Sequence, residues 1–434
     1  MQNTEITPKI MIDRQKGPKI HTEFDLSLTG VHASQLENGV DFYEVKSGTQ
    51  KIIKVELVFR TGRIHEEQKA IARSTLSLIR EGSTRHSAEE LAYNYDFYGA
   101  NVKASCNMEY ASISLVVVER YFQDVWPIWL HMVFYPSFSE EEISKYASVH
   151  SQRLSNQLSK NDVLSYRLLT EHLFGESHPY GYNTEPEDIS NITRDNILHF
   201  YNKNLGLDNA FLLISGQYSE TTRSTVIEQV GSIQRACQHP TVKFERKEHN
   251  PKILNISTQN DIQTSIKTGK LLFKRNHPHY SGMKFLTMVL GGYFGSRLMS
   301  NIREEKGYTY GIYASMHGWK EDGFFYISAD VDNQFREPTL AEINKELTEL
   351  RTNLIPEEEL EMVRSYILGQ TLHLLDGPFA KIQLIKNLSC YNSDVSDYNN
   401  HVQGIKTITA EQLHEFAREY LAPDSFSTVL AGQF

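Results

Sequence analysis

The chain has 434 residues, more than one ordinary domain holds, and its 40% apolar and 23% charged content is that of a globular protein. A net charge of −10 argues against nucleic acid as a partner, because phosphate binding needs a basic face. No run approaches the roughly 18 apolar residues of a membrane span.

The opening stretch, "MQNTEITPKIMIDRQKGPKI", has no apolar signal segment, so a cytoplasmic protein is expected; a periplasmic one stays open if residues have been trimmed from the front. Residues 1–35 read as an N-terminal extension. "GVDFYEV" and "IIKVELVFRTG" follow as strands. Next comes a helix from Ala70 to Arg80, in which Ile71, Thr75, Leu78 and Ile79 form one apolar stripe and Gly82 marks the stop. "ANVKASC" and "YASISLVVVE" are strands, and Glu140–Lys160 and Val163–Phe174 are helical. Polar, charged "GSIQRACQHPTVKFERKEHNPKI", Gly231 to Ile253, reads as a linker. Beyond it lie the strand "TSIKTGKLLFKR", a helix near Tyr280–Leu290, the strands "YTYGIYASMHG" and "GFFYISADV", and helices over Pro338–Leu350 and Pro356–Leu375. Cys106, Cys237 and Cys390 lie far apart without a C-x-x-C pair, so a disulfide framework and a thiolate zinc site are not expected. Each is read as a buried apolar side chain in a reducing compartment.

The chain repeats itself. "DISNITRDNILHFYNKNLGLDNAFLLISGQY", Asp188–Tyr218, aligns without a gap on "GIKTITAEQLHEFAREYLAPDSFSTVLAGQF", Gly404–Phe434, at a constant offset of 216 residues. Both read as an N-capping Thr, an amphipathic helix, a turn, then an apolar strand ending at glycine. An offset of half the chain means two large homologous units and not a solenoid. The expected fold is α+β: two homologous layered α/β domains in tandem, 36–230 and 254–434, related by a pseudo-twofold axis.

Several stretches then resemble one family. "TGRIHEE", "EGSTRHSAEELAYNYDFYGANVKAS", "LFGESHPYG" and above all "LGGYFGSRLMSNIREEKGYTYGIYA" are similar to the pitrilysin/insulinase metallopeptidases, in their half-length, processing-peptidase-like branch. The resemblance covers nearly everything after about Leu36. It implies an H-x-x-E-H helix: residues at i, i+3 and i+4 share a face, two imidazoles bind Zn²⁺ and the glutamate takes a proton from bound water. Anchoring on Glu81-Gly82 places Arg73, Leu76 and Ser77 at those positions. A cation, an alkyl group and a hydroxyl cannot do that work, and a register slip does not help, because no His, Asp or Glu lies between Ile71 and Arg80. The third ligand, a glutamate on a later helix, is missing too: no carboxylate occurs from Ile143 to Asn161, and Gln152 or Arg153 stands near its place. His277 and His279 lack a third ligand and are read as loop residues.

The second half keeps what the resemblance assigns to substrate contact. Arg303, seven residues before Tyr310 in "IREEKGYTY", would hold a peptide carbonyl, and the Tyr310 phenol would donate to the oxyanion of the scissile bond. A surface ion pair with Glu304 or Glu305 and a half-buried strand tyrosine are the plainer alternatives. The resemblance therefore implies a chain with no cofactor of its own, paired with a homologous zinc-bearing subunit. Together they would act on unfolded peptides, held by strand addition to a sheet edge that in the partner would lie beside the zinc helix; "GANVKASC" is its counterpart in this chain. A purely structural subunit and a peptide-binding homodimer without hydrolysis remain open.

Overall fold

Two sheets with the same strand order carry the chain. The structure, a computed structural model, describes residues 17, 25–238, 250–258 and 262–433; part of the expected linker, residues 239–249, lies outside them. The first sheet holds β1 (His32–Gln35), β2 (Asp41–Lys46), β3 (Ile52–Phe59), β4 (Asn101–Cys106), β5 (Ala111–Val118) and β6 (Ala210–Gly216), in the order β1-β2-β6-β3-β5-β4. The second holds β7 (Ile253–Ser257), β8 (Gln263–Leu272), β9 (Thr309–Gly318), β10 (Gly323–Asp332) and β11 (Ser427–Gly432), in the order β7-β11-β8-β10-β9. Without β1 the two orders superimpose. So do the directions: β2–β6 and β7–β11 are parallel, and the other pairs antiparallel. β6 and β11 are buried at every position, as expected for central strands covered on both faces.

The helices are α1 (Ile71–Leu78), α2 (Ala88–Phe97), α3 (Phe122–Phe134), α4 (Glu140–Leu158), α5 (Asn161–Phe174), α6 (Pro186–Ser190), α7 (Arg194–Asn204) and α8 (Glu220–Gly231). In the second half they are α9 (Tyr280–Thr287), α10 (Arg336–Thr352), α11 (Glu357–His373), α12 (Gly377–Cys390), α13 (Val395–Thr407) and α14 (Ala410–Tyr420). The repeat reaches further back than the sequence alignment. α12 begins and ends 216 residues after α5, as α14 does after α7. Equivalent threonines cap α7 and α14: Thr193 Oγ1 accepts from Asn196 N at 3.3 Å, and Thr409 Oγ1 from Gln412 N at 3.3 Å.

The halves exchange these equivalent helices. α5 lies on β8 and β11 of the second sheet, and α12 on β2 and β6 of the first. Leu169, Leu173 and Phe174 of α5 cluster with Phe324, Tyr326 and Val429. Polar contacts run beside them: Asn161 Nδ2 donates to Gln263 O at 2.9 Å, and Ser165 Oγ lies 3.0 Å from Ser265 Oγ. In return, Lys386 of α12 donates to Glu56 Oε1 at 2.5 Å and to Ser112 Oγ at 2.9 Å in a buried pair. Neither sheet is covered by its own half alone. Sequence periodicity shows that a helix has an apolar face, not which sheet that face will meet.

Three expectations change. Cys106 and Cys237 are only half-buried and Cys390 alone is buried, because Cys106 ends the edge strand β4 and Cys237 follows α8 near the surface. β1 falls within the segment read as an extension, and pairs with β2. α1 is shorter than the 70–80 helix, with Ala70 at its N-cap at φ 72° and Ile79 at its C-cap.

Gly216, at the end of β6, has φ 115°, and a Cβ there would sit 2.0 Å from Ile52 O. Gly216→Ala combines a strained backbone with a clash against main chain. It is expected to cost more than about 1 kcal/mol of stability, read as a lower denaturation midpoint. Gly39→Ala, with positive φ but open space, should cost less.

Candidate functional site

α1 crosses α4 beside the open edge strand β4. Its entry is set by Glu66, whose Oε2 accepts from Ala72 N at 3.0 Å, while Oε1 takes the Tyr182 hydroxyl and lies 3.6 Å from Arg63 Nε. Burial pushes the Glu66 carboxyl up, against the pull of Tyr182, the backbone and Arg63. The sequence reading did not single out Glu66; an acidic residue before a helix is its only signal.

The three positions of the degenerate motif do not act as a unit. Arg73 is exposed, Ser77 is half-buried with its Oγ donating to Arg73 O at 3.0 Å, and Leu76 is 1% exposed inside the first half's core. On α4, Gln152 and Arg153 are exposed, and Gln152 Nε2 donates to Asn156 Oδ1 at 3.1 Å. His150, which a search for carboxylates passed over, lies in the same place. Its ring stacks on Tyr146 at 4.1 Å, and the Tyr146 hydroxyl is 3.2 Å from Ser74 Oγ on α1. Burial first, and then the charges of Arg153 and Arg73, lower the basicity of His150. These residues do not fit zinc: the cations oppose a dication, and Leu76 offers no donor. Among the described residues no group of three or more His, Cys, Asp or Glu is placed to hold a metal. His277 and His279 lie in the turn before α9, with His277 stacked on Phe273 at 4.0 Å and His279 Nδ1 2.9 Å from the Tyr420 hydroxyl.

In the second half, Arg303 sits in a π-type helical turn, Met299–Glu305. Asn301 anchors that turn to α10, donating to Glu342 Oε2 at 2.9 Å and Glu346 Oε1 at 2.6 Å. Gly291 lets the preceding segment touch β9: a Cβ there would sit 2.5 Å from Ala314 N. The Arg303 guanidinium lies 4.6 Å over the Phe294 ring, with Nε 3.5 Å from Glu304 Oε1, so the plainer expectation for this residue is met in part. Tyr310 is different. It stands on edge strand β9, where the pairing to β10 shifts between Val331–Thr309 and Ala329–Ile312, a bulge that sets Tyr310 and Gly311 against Asp330 alone. At 92% exposure, Tyr310 is not the half-buried strand tyrosine of the alternative. Among the described residues no hydrogen bond joins it to Arg303, which is half-buried against Phe294 while Tyr310 faces solvent.

Comparisons with known proteins find similar chains. The family described as "Peptidase M16 inactive domain" matches residues 191–367. The "Uncharacterized zinc protease YmxG" of Bacillus subtilis is 21% identical over 393 residues, covering 89% of this chain and 95% of its own length. The "Non-peptidase homolog YmxG" of Helicobacter pylori is 22% identical over 327 residues, 73% of this chain and 74% of its own. Among solved structures, a peptidase M16 inactive domain from Pseudomonas fluorescens superimposes with a TM-score of 0.86 at 20% identity, covering 94% of this chain and 99% of that one. Among the described residues no helix is long and apolar enough to cross a membrane.

Proposed function

We propose that this chain, which is similar to the M16 peptidases, the pitrilysin/insulinase metallopeptidases, and to inactive homologues among them, is the non-zinc subunit of a two-subunit peptidase. The homologous partner supplies zinc and the general base. This chain supplies half of the chamber, with residues 36–230 and 254–434 as its two repeats, and offers Arg303 and Tyr310 to the peptide.

One observation carries the reading. Tyr310 presents its hydroxyl almost wholly to solvent from a bulged edge strand, in a chain whose own zinc positions hold no donors. A phenol so placed spends nothing on this chain's packing and is free to donate to a substrate oxygen across an interface. The Arg303 guanidinium, steadied over Phe294, can hold a peptide carbonyl. The peptide itself is an unfolded segment that adds to the outer edge of β4.

A second reading, a scaffold without hydrolysis, draws on the engagement of Arg303 by Phe294 and Glu304. Kinetics of the reconstituted pair separate the two. The isolated chain gives a simpler result: stripped with chelator and re-equilibrated with zinc, it is expected to hold well below one zinc per chain and to leave an unstructured peptide uncut. One tightly held zinc, lost on replacing a histidine, would overturn the assignment.

A further inference from the structure

We propose that the face of α1 and α4 that lacks the metal ligands binds a carboxylate of the peptide, with Arg73 and Arg153 as its charge partners and His150 between them. The inference rests on the reading that a peptide adds to β4, and goes further by naming the group that is recognised.

The geometry brings these side chains together. Ser74 and Tyr146 meet at 3.2 Å where the two helices cross. His150 stacks on Tyr146 one turn along α4, and Arg153 follows three residues later, exposed. Arg73 precedes Ser74 and is exposed beside that crossing. Among the described residues neither guanidinium takes an ion pair or a hydrogen bond. The nearby Glu66 is already committed to Arg63, Tyr182 and the α1 backbone, and α4 carries no carboxylate after Glu142.

An uncompensated pair of arginines is a departure in a chain of net charge −10. Two neighbouring guanidinium groups repel each other, and an anion between them relieves that repulsion through charge-assisted, planar hydrogen bonds. Burial first, and then both arginine charges, lower the basicity of the His150 ring, which adds a hydrogen-bonding group beside the two guanidinium groups. α1 packs along β4, whose outer edge is unpaired. A peptide added there runs past Arg73. Its C-terminal carboxylate and an Asp or Glu side chain offer the same chemistry.

The test is fluorescence anisotropy on the full chain with three versions of one labelled, unstructured peptide: one with a free C-terminal carboxylate and an internal Glu, one amidated at the C-terminus, and one with the Glu replaced by Gln. Losing the recognised carboxylate is expected to weaken binding about tenfold or more, the effect of one charged hydrogen bond. Loss on amidation identifies the terminus, and loss on Glu replacement identifies a side chain; either supports the proposal. The Arg73→Gln/Arg153→Gln variant should bring the preferred peptide down to the level of the weaker one, and Arg73→Lys should keep part of the preference. As a check that needs no variant, the preference should shrink as salt rises. Equal binding of all three peptides by the native chain overturns the carboxylate site and leaves the peptide-binding reading standing. Binding of none overturns both.

Discussion

Tyr310→Phe is expected to lower kcat of the complex with a zinc-bearing homologue by about 100- to 1,000-fold, the usual cost of removing one oxyanion donor. Assembly should be unchanged, because a side chain 92% exposed contributes nothing to this chain's core. The change removes only the hydroxyl, so a loss reports on hydrogen bonding and not on shape. Arg303→Ala should raise KM as well, because a guanidinium that holds the peptide carbonyl acts in the ground state too. The two losses are expected to be less than additive if both residues touch the same bound peptide. Unchanged kcat and KM in the double variant, with the complex intact, would reduce this chain to a scaffold.

The second large effect lies between the halves. Lys386→Met is expected to cost up to about 3–5 kcal/mol of stability, because it leaves a carboxylate in a buried seam with only one of its two cationic partners, Lys54. Glu56 is buried in β3, takes Lys386 Nζ at 2.5 Å, and has Lys54 Nζ at 2.7 Å from its other oxygen. Burial pushes its carboxyl up, yet Lys386 and Lys54 together pull it below the ordinary carboxylate range. A folded-state value below the unfolded one means the contribution is complete above the unfolded pKa of about 4.3 and fades as pH falls through the folded value. Denaturant melts should thus show a loss of stability on acidification that Lys386→Met largely removes. The double variant Glu56→Leu/Lys386→Met should recover part of the deficit, since it removes the buried carboxylate and leaves only Lys54, whose side chain is partly exposed, without its partner. A deficit below about 1 kcal/mol for Lys386→Met alone, the range of a surface pair, would mean that water reaches this seam.

The sequence made some parts of this molecule legible and not others, for physical reasons. Strands β2, β3, β5, β8 and β10 are dense in β-branched and aromatic residues bounded by turns, and the reading found them. The matching strand orders were implied by the ungapped pairing of Asp188–Tyr218 with Gly404–Phe434, because a shared helix–turn–strand unit is built into a shared sheet. β1 was missed: at four exposed residues on a sheet edge, it has no apolar alternation to find. The exchange of α5 and α12 could not be read, since Leu169 and Ile385 are buried equally well under either sheet. At the candidate site, the loss of ligands at Arg73, Leu76 and Ser77 was readable by position, whereas His150 was not, because a search for a carboxylate does not stop at an imidazole. Tyr310 stands in a bulge opposite Asp330, which no residue type in "TYGIY" announces.

The most direct test titrates this chain into a fixed amount of a zinc-bearing homologue of similar length and follows cleavage of an unstructured peptide. The account predicts that the homologue alone is nearly inactive, that activity rises with added chain, and that it saturates at one chain per homologue. A homologue that cleaves the peptide equally fast with and without this chain would contradict the account.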